Sequence, residues 1–582
     1  MPTPESSKAS LQQIPSDTEH LIRSLLQTLY PAHADHCWAR LSDVVQAHIS
    51  RLPRREEPLW TERDITLITY GDQISDGDTA TLATFEAFLR EHELHELLSI
   101  VHILPFCPYS SDDGFSVIDF RQVDRKLGDW SHLDQLARHV DLMFDLVLNH
   151  CSQHSEWFQR FIDGDPDHAN FFITVDPSED VSQVTRPRSH PLLTPFETPR
   201  GTQHIWTTFS DDQVDLNFAE PAVLVEMIDI LLQYVEHGAR IIRLDAIAYL
   251  WKRLGTTCIH LPETHAVVKL MRALLDHVAP HVILLTETNV PHTENISYFG
   301  DGDEARMVYN FSLPPLLLDA YLHRDATTLQ HWLSGLQPPG QGTTWFNFTS
   351  SHDGIGVRPL EGLVGNDHLQ HIVESVRSNG GKVNMRRTPA GDDIPYELNI
   401  TWLDALRRPN SEDPLHIQRF LASQAFMLAL QGVPAVYFHC LVGTPNDIEG
   451  MQRTGHNRTI NRRKYDAKEL TALLSDDPAQ SRIFAEYQNL LRRRIGLTAF
   501  HPDAPQNVIP QTDPAIVLFQ RGASGDDAVV VAANFSDDPK PIAFDPEILG
   551  TDVRDAISGR DGSCEDFVLQ PAETVWLTSA AK

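Results

Sequence analysis

Cysteine is scarce in this chain of 582 residues, and no two cysteines have the spacing of a disulfide or metal-binding motif. The six thiols are scattered over the whole length: Cys37, Cys107, Cys151, Cys258, Cys440 and Cys564. Few, isolated cysteines in so long a chain argue against a disulfide framework and against a structural zinc site. We therefore expect reduced, mostly buried thiols and a cytoplasmic location.

Long apolar runs are also missing. The N-terminal region has no basic stretch followed by an apolar one, and no segment of about 20 apolar residues occurs in the chain. These absences argue against export and against insertion into a membrane. No acidic run has the pattern of an EF-hand loop, so the sequence predicts no calcium loop of that type.

Basic residues are too few to balance the acidic ones. The chain has 47 Lys and Arg against 80 Asp and Glu, which gives a formal net charge of −33. Such a charge repels nucleic acids and anionic membrane surfaces, so neither is an expected partner. An anionic substrate would need a local basic pocket.

The sequence does contain a regular alternation of short β-branched segments with longer amphipathic ones. Buried parallel strands joined by crossover helices occur in open doubly wound sheets and in closed barrels, and eight such units favour the barrel. We therefore predict an α/β fold built on a TIM-type (β/α)8 barrel. The candidate strands are ITLITY (65–70), SIVHIL (99–104), DLMFDLVL (141–148), ARIIRLDA (239–246), VILLTET (282–288), ARMVYNFS (305–312), TTWFNFTSS (343–351) and VPAVYFH (433–439).

The flanking segments depart from this pattern and predict appended domains. Residues 1–62 have apolar side chains at helical spacing, which predicts a helical N-terminal extension. The barrel is expected to occupy residues 63–150 and 239–499, with an insert domain at 151–238 after the third strand. Residues 500–582 contain short alternating runs broken by Gly, Asp and Pro, which predicts a small antiparallel β-domain.

Two acidic residues at the ends of predicted strands suit cleavage of a glycosidic bond with retention of configuration. That reaction needs a carboxylate nucleophile and a carboxylic acid about 5 Å apart, and we predict Asp245 and Glu287 for these roles. Arg243 is on the same face of its strand as Asp245 and is expected to keep it ionised. The apolar approach to Glu287 is expected to raise its pKa. Asp353 would stabilise the oxocarbenium-like transition state.

Four segments that carry these residues resemble, in order, the sequence signatures of the α-amylase superfamily. They are DLVLNH (145–150), GARIIRLDA (238–246), TETN (286–289) and SSHD (350–353). The resemblance implies that His150, Arg243 and His352 line a glucose subsite beside the three acids.

Other segments narrow the resemblance to the sucrose-phosphorylase-like branch: LITYGDQ (67–73), HILPFCPYSSDDGFSVID (102–119), RPR (186–188), FSLPPLLL (311–318), HDGIG (352–356) and NRTINR (457–462). This resemblance implies that Asp112 and Phe115 close around glucose and that Arg458 reaches the far sugar hydroxyls. It also implies that Arg188 and Tyr396 contact phosphate or the acceptor. Inorganic phosphate would then be a substrate, with no metal and no cofactor, and the enzyme would be a monomer or a homodimer.

The acceptor is the least determined part of the interpretation. Sucrose phosphorylases carry an Asp two residues before the loop tyrosine, whereas this chain has Ile394. The chain looks most like the glucosylglycerate phosphorylases, with a basic run at Lys382, Arg386 and Arg387 for the glycerate carboxylate. Sucrose, sucrose 6′-phosphate and glucosylglycerol remain alternative substrates. A retaining hydrolase or transglucosidase, or an inactive sugar-binding barrel, are the alternative classes.

Overall fold

Eight parallel strands form a closed barrel at the centre of the computed structural model. The structure describes residues 15–580 except positions 189, 337–338, 388–392, 410–411 and 526. Each barrel strand lies inside one of the predicted segments, so the TIM-type fold is confirmed. In chain order the strands are Thr66–Thr69, Ile100–Ile103, Asp141–Leu146, Ala239–Leu244, Ile283–Thr286, Met307–Tyr309, Thr344–Phe348 and Val433–Tyr437.

The barrel closes between its first and last strands. Thr66 of the first strand is paired with Ile100 of the second and with Ala435 of the eighth. Helices cover the outer faces while side chains fill the interior, which explains why nearly every residue of these strands is buried on whichever face it lies.

Helices connect and cover the strands, as parallel pairing requires. Several begin with proline in the first turn, where its missing N–H removes no helical hydrogen bond. None of the described helices combines the length and the apolar character that crossing a bilayer demands. The helices after the N-terminal pair are Thr81–Glu91, Trp130–Leu136, Glu156–Asp163, Pro221–Glu236, Pro262–Val278, His292–Asn295, Leu313–His323, Thr327–Gly335, Asn366–Ser378, Trp402–Ala405, His416–Ala429, Phe438–Leu441, Ile448–Thr454, Ala467–Asp476 and Pro478–Arg494.

Two N-terminal helices, Ser16–Leu29 and Ala34–His48, pack on the outside of the barrel. Their apolar residues join the main core. His48 donates to Glu236 (2.6 Å) and contacts Asp229 (2.8 Å), both on the helix Pro221–Glu236. These two helices are therefore part of the barrel's outer helical layer.

Two inserted regions cover the carboxyl-terminal ends of the strands. After the third strand, His150–Ser152 pairs with Gln213–Asp215, and Leu193–Thr198 forms a hairpin with Gly201–Trp206. After the seventh strand, a three-stranded sheet has the order Ile355–Gly356, Asp393–Asn399, Lys382–Arg387. One short parallel pair, Ile74–Ser75 with Tyr465–Asp466, lies nearby.

The C-terminal region forms an antiparallel sheet against the barrel, in agreement with the predicted fold class. Arg521 Nη1 donates to the carbonyl of Ala429 (2.6 Å), and Trp576 Nε1 donates to that of Ala425 (3.2 Å), both on a barrel helix. The residue limits of the domains stay predictions. The sheet strands, in spatial order, are Gln506–Ile509, Ile516–Arg521, Val529–Asn534, Thr574–Ser579, Asp552–Asp555 and Asp561–Ser563, with Lys540–Ile542 and Phe567–Leu569 as a separate pair.

Candidate active site

One pocket at the carboxyl-terminal ends of the barrel strands brings together the predicted catalytic, sugar-binding and phosphate-binding residues, but not Lys382 or Arg386 of the basic run predicted for the glycerate carboxylate. Parallel strands of a barrel all end at the same face, so residues distant in sequence converge there. The functional roles of these residues stay predictions. The lining comprises the predicted Asp112, Phe115, His150, Arg188, Arg243, Asp245, Glu287, His352, Asp353, Tyr396 and Arg458, together with Phe209, Gln213, Ala246, Asn289 and Glu397.

Arg243 joins two carboxylates on the floor of this pocket. Its Nη1 donates to Asp245 Oδ1 (2.7 Å) and also to Asp145 on the third strand. Asp145 accepts a further hydrogen bond from His102 Nε2 (2.6 Å). Against the effect of burial, Arg243 and His102 lower the pKa of Asp145 to about 2. The ionised Asp145 thus neutralises part of the charge that Arg243 offers to Asp245.

The two acids of the predicted pair differ in their distance from Arg243. Burial raises the pKa of Asp245, and neighbouring carboxylates raise it further while Arg243 opposes them. Burial and the neighbouring carboxylates thus oppose the predicted effect of Arg243, which was expected to keep Asp245 ionised. Burial also raises the pKa of Glu287. Arg243 lies 2.7 Å from Asp245 but 4.0 Å from Glu287, so it stabilises a negative charge more strongly on Asp245.

Asp353 is the acid whose charge is best compensated. Arg458 Nη1 lies 2.7 Å from its Oδ1. Against the effect of burial, Arg458 and the nearby His352 and Arg462 hold the pKa of Asp353 well below its usual range. This carboxylate is fixed as an anion and can stabilise a positive charge on a bound sugar ring.

Neutral aromatic groups form another wall of the pocket. The ring of Phe115 is stacked on that of His352, with centroids 4.9 Å apart and planes 6° apart. His150 Nε2 donates to the carbonyl of Phe115 (2.9 Å), and its Nδ1 accepts from Asn149 Nδ2 (3.2 Å). Burial lowers the pKa of His150, and it lowers that of His352 to about 3, so both imidazoles are neutral hydrogen-bonding groups at pH 7.

The DDG turn that carries Asp112 has an unusual backbone. Asp112 and Asp113 both have left-handed φ angles, 51° and 48°, which disfavour a residue with a side chain. Gly114 must be glycine because a Cβ there would lie 2.6 Å from the carbonyl oxygen of Pro105. Arg462 holds the turn by contacting Asp113 Oδ2 at 2.7 Å. Such strain is maintained where the position of a side chain matters.

Arg188 and Tyr396 meet where the two inserted regions approach each other. The Arg188 guanidinium lies 5.8 Å from the centre of the Tyr396 ring. Ile394 does not reach this pocket and instead lines a separate groove with Pro395 and Arg386. Arg386 is paired with Glu361 (2.6 Å) on that outer side. Neither Lys382 nor Arg386 of the basic run therefore lines the pocket. The side chain of Arg387 lies outside the part of the chain that the structure describes.

Sequence reasoning missed Glu397 and Arg462. Glu397 is buried, accepts from Gly354 N (2.8 Å) and lies 3.0 Å from Arg458. Glu397 follows Tyr396 directly in the same strand. Neighbours in a strand normally face opposite sides, so a prediction that Tyr396 lines the pocket disfavours Glu397. Arg462 is the second arginine of NRTINR, and its position in the motif was the available signal.

A candidate metal cluster lies away from the pocket. Within the described ranges, the one grouping of side chains spaced for a metal ion is Asp319, His323 and His368, on the helices Leu313–His323 and Asn366–Ser378. The rings of His323 and His368 are stacked 4.0 Å apart. A metal must lie in the plane of each ligating imidazole, so stacked rings cannot both bind one ion without moving. The cluster carries no metal assignment.

Comparisons with known proteins agree with this geometry. Residues 98–340 match the family described as Alpha amylase, catalytic domain. The glucosylglycerate phosphorylase of Allomeiothermus silvanus is 47% identical, covering 96% of this chain and 99% of the relative. That of Spirochaeta thermophila is 46% identical, covering 91% of each. The sucrose phosphorylase of Agrobacterium vitis is 32% identical over 76% of this chain and 89% of the relative.

Among solved structures, the sucrose 6F-phosphate phosphorylase of Thermoanaerobacter thermosaccharolyticum has the same fold, with a TM-score of 0.71 at 24% identity. The match covers 81% of this chain and 94% of that structure. The two glucosylglycerate phosphorylases cover more than nine-tenths of the chain at much higher identity. The chain therefore belongs to the family of the glucosylglycerate phosphorylases, within the α-amylase superfamily.

Proposed function

We propose that this protein is a retaining α-glucoside phosphorylase. It converts 2-O-α-glucosyl-D-glycerate and inorganic phosphate to α-D-glucose 1-phosphate and D-glycerate. The observation that carries the proposal is the shared guanidinium of Arg243, 2.7 Å from Asp245 and 4.0 Å from Glu287. It favours one ionised and one protonated carboxyl in a single buried pocket, as a double displacement requires. Family membership supports the choice of substrate.

In the first displacement, the Asp245 carboxylate attacks the anomeric carbon while the bond from that carbon to the glycerate oxygen breaks. Glu287 donates its proton to the departing oxygen, so D-glycerate leaves as an alcohol. Glucose remains as an ester on Asp245. Asp353 stabilises the positive charge that develops on the sugar ring.

In the second displacement, an oxygen of phosphate attacks the anomeric carbon and the ester bond to Asp245 breaks. Glu287, now a carboxylate, accepts the proton that the attacking phosphate hydroxyl releases. Two inversions restore the α configuration, so the product is α-D-glucose 1-phosphate. Asp245 and Glu287 return to their starting ionisation.

Arg188 is the proposed phosphate ligand. In the described part of the chain it has no acidic partner within ion-pair distance, whereas the pocket arginines Arg243 and Arg458 are both paired. An uncompensated guanidinium attracts an anion that a protein of net charge −33 would otherwise repel. Tyr396, beside Arg188, is the proposed hydroxyl partner.

The remaining properties follow the same proposal. The substrates are small molecules, and the residues perform the chemistry without a metal or a cofactor. We propose a monomer or a homodimer in the cytoplasm, with no nucleic-acid or membrane partner. All six cysteines are free and buried, which suits a reducing compartment.

Acceptor use tests the proposal. Purified enzyme with α-D-glucose 1-phosphate is given D-glycerate, glycerol, fructose or fructose 6-phosphate in parallel, and released phosphate is measured. Strong release with D-glycerate alone supports the proposal. Preference for another acceptor would keep the double displacement and overturn the substrate. Equal release of glucose and phosphate without any acceptor would indicate hydrolysis.

A further inference from the structure

Arg358, which has no assigned role so far, lies near the acceptor side of the pocket, the side that carries Tyr396. Arg358 follows the short strand Ile355–Gly356, which pairs with the strand that carries Tyr396. Val357 N donates to the carbonyl of Tyr396 (3.1 Å), so the backbone joins the arginine to the tyrosine loop. Arg358 does not line the glucose pocket itself and lies one layer further out.

The neighbouring glycine holds this segment against the acid loop. A Cβ on Gly356 would lie 2.5 Å from Nδ2 of Asn289, so only glycine allows the two segments to pack this closely. Asn289 lines the pocket two residues after Glu287. Its Oδ1 is buried and has no hydrogen-bond partner among the described residues. The segment that carries Arg358 is therefore packed against Asn289, two residues after the proposed general acid Glu287.

Tyr249 lies next to the lining of the pocket, against Phe209. It comes four residues after Asp245, and its ring contacts Phe209 of the pocket lining edge-on at 5.4 Å. Burial raises the pKa of its phenol, and the positive charges of Arg358 and Arg188 lower it. Both guanidinium groups are thus close enough to Tyr249 to act on its phenol.

The charge of Arg358 is only partly compensated. Its one acidic partner within the described ranges is Glu294, 3.5 Å away, and the Glu294 side chain is 40% exposed. The Arg358 side chain is itself only 17% exposed, and its Nε is buried without a hydrogen-bond partner among the residues described. An arginine has five donors in a planar fork that fits a carboxylate, so donors remain for a ligand.

We propose that Arg358 binds the carboxylate of the acceptor and thereby selects D-glycerate over uncharged alcohols. This inference rests on the proposed function. Arg188 then binds phosphate, and Arg358 binds the carboxylate of D-glycerate. The two substrates react at the same anomeric carbon in alternate displacements. In this assignment the basic run that the sequence suggested for the carboxylate is not needed, and Arg386 is paired with Glu361 outside the pocket.

Two reactions separate the inference from the proposed function. Exchange of labelled phosphate into α-D-glucose 1-phosphate needs Asp245, Glu287 and the phosphate site but no acceptor. Transfer to D-glycerate needs the acceptor site as well. Absence of both reactions in the unaltered enzyme would overturn the proposed function, and Arg358 would lose its role with it.

The variant Arg358→Gln is compared with the unaltered enzyme in both reactions. We expect kcat/KM for D-glycerate to fall about 100-fold, because a charge-assisted contact to the carboxylate is lost. Phosphate exchange should change less than about threefold. Arg358→Lys should recover part of the glycerate activity. An equal fall in both reactions, or no fall in either, would overturn the assignment.

Two control variants distinguish ligand binding from a structural role. Glu294→Gln removes the ion-pair partner of Arg358 while leaving the guanidinium in place. If Arg358 only anchors its loop through Glu294, this variant should lose as much glycerate activity as Arg358→Gln, which would contradict the proposal. We expect it to keep glycerate activity within about threefold. Arg386→Gln, on the outer side of the neighbouring sheet, should leave both reactions unchanged.

Discussion

Arg458 lies between two carboxylates, 2.7 Å from the partly buried Asp353 and 3.0 Å from the buried Glu397. The Arg458 guanidinium therefore fixes Asp353 in the pocket and connects it to the strand that carries Tyr396 and Glu397. Because burial makes every uncompensated charge unfavourable, the three groups stabilise one another, and removal of one leaves a buried charge without its partner.

Glu397→Gln tests this relationship. We expect the free energy of unfolding to fall by about 3 kcal/mol and KM for α-D-glucose 1-phosphate to rise about tenfold, because Arg458 loses half of its compensation. Urea unfolding and initial rates measure the two effects. Glu361→Gln is the matched control, since Glu361 pairs with Arg386 at the surface and contributes about 0–1 kcal/mol. Equal effects of both variants would contradict the role of Glu397.

Glu287→Gln separates proton donation from nucleophilic attack. With glucosylglycerate as donor, the variant should lose at least about 100-fold in rate, because the leaving alkoxide needs a proton. With α-glucosyl fluoride, whose leaving group needs none, the first displacement should persist. Asp245→Asn should be inactive with both donors. Equal losses of Glu287→Gln on the two donors would exclude Glu287 as the general acid.

The pH dependence of glycoside cleavage has a predicted direction. Burial raises the pKa of Glu287, so its protonated, active form persists above the usual range of a glutamic acid. The rate should fall as the pH rises through this raised pKa and should fall on the acidic side as Asp245 becomes protonated. Profiles of kcat/KM against pH measure both limbs. Glu287→Gln with α-glucosyl fluoride should lack the alkaline limb, and its retention would assign that limb to another group.

Arg188→Ala tests the phosphate site. We expect KM for phosphate to rise at least about tenfold while glucosyl transfer from α-glucosyl fluoride to D-glycerate is nearly unchanged, since one charge-assisted contact is removed. Arg200→Ala is the control, because Arg200 lies on the same insert over the ring of Phe161 and away from the pocket lining. An unchanged phosphate KM in Arg188→Ala would remove the proposed role.

Gly356→Ala tests the close packing of the acceptor side. A Cβ at this position would lie 2.5 Å from Asn289, so the loop must shift, at a free-energy cost of about 1–3 kcal/mol. KM for D-glycerate should rise more than KM for phosphate. Gly335→Ala, where a Cβ meets open space, is the control and should be neutral. A neutral Gly356→Ala would mean that the packing against Asn289 has no effect on the acceptor.

Local sequence patterns were enough to predict the barrel. Strands such as Ala239–Leu244 and Val433–Tyr437 are short, apolar and β-branched, and their carboxyl ends must share one face. That geometry explains why Asp245, Glu287 and Asp353 meet in the structure. The motif resemblance added Arg188 and Tyr396, which lie on the inserted regions.

Long-range pairing was not predictable from the same patterns. The contact of Arg458 with Glu397 joins the helical turn Asn457–Asn461 to the strand Asp393–Asn399, and nothing local in either segment indicates it. The pKa of Asp245 depends on how many carboxylates share Arg243, which a strand pattern does not show. Arg358 was missed because its neighbours Tyr249 and Glu294 come from other barrel segments.

The most direct test follows the reaction in the phosphorolytic direction by NMR. The enzyme is incubated with 2-O-α-glucosyl-D-glycerate and phosphate, and the anomeric and phosphorus signals are recorded from the first minutes. The account predicts α-D-glucose 1-phosphate and D-glycerate in equal amounts, with no free glucose. Initial formation of the β anomer, or of free glucose in place of the phosphate ester, would contradict it.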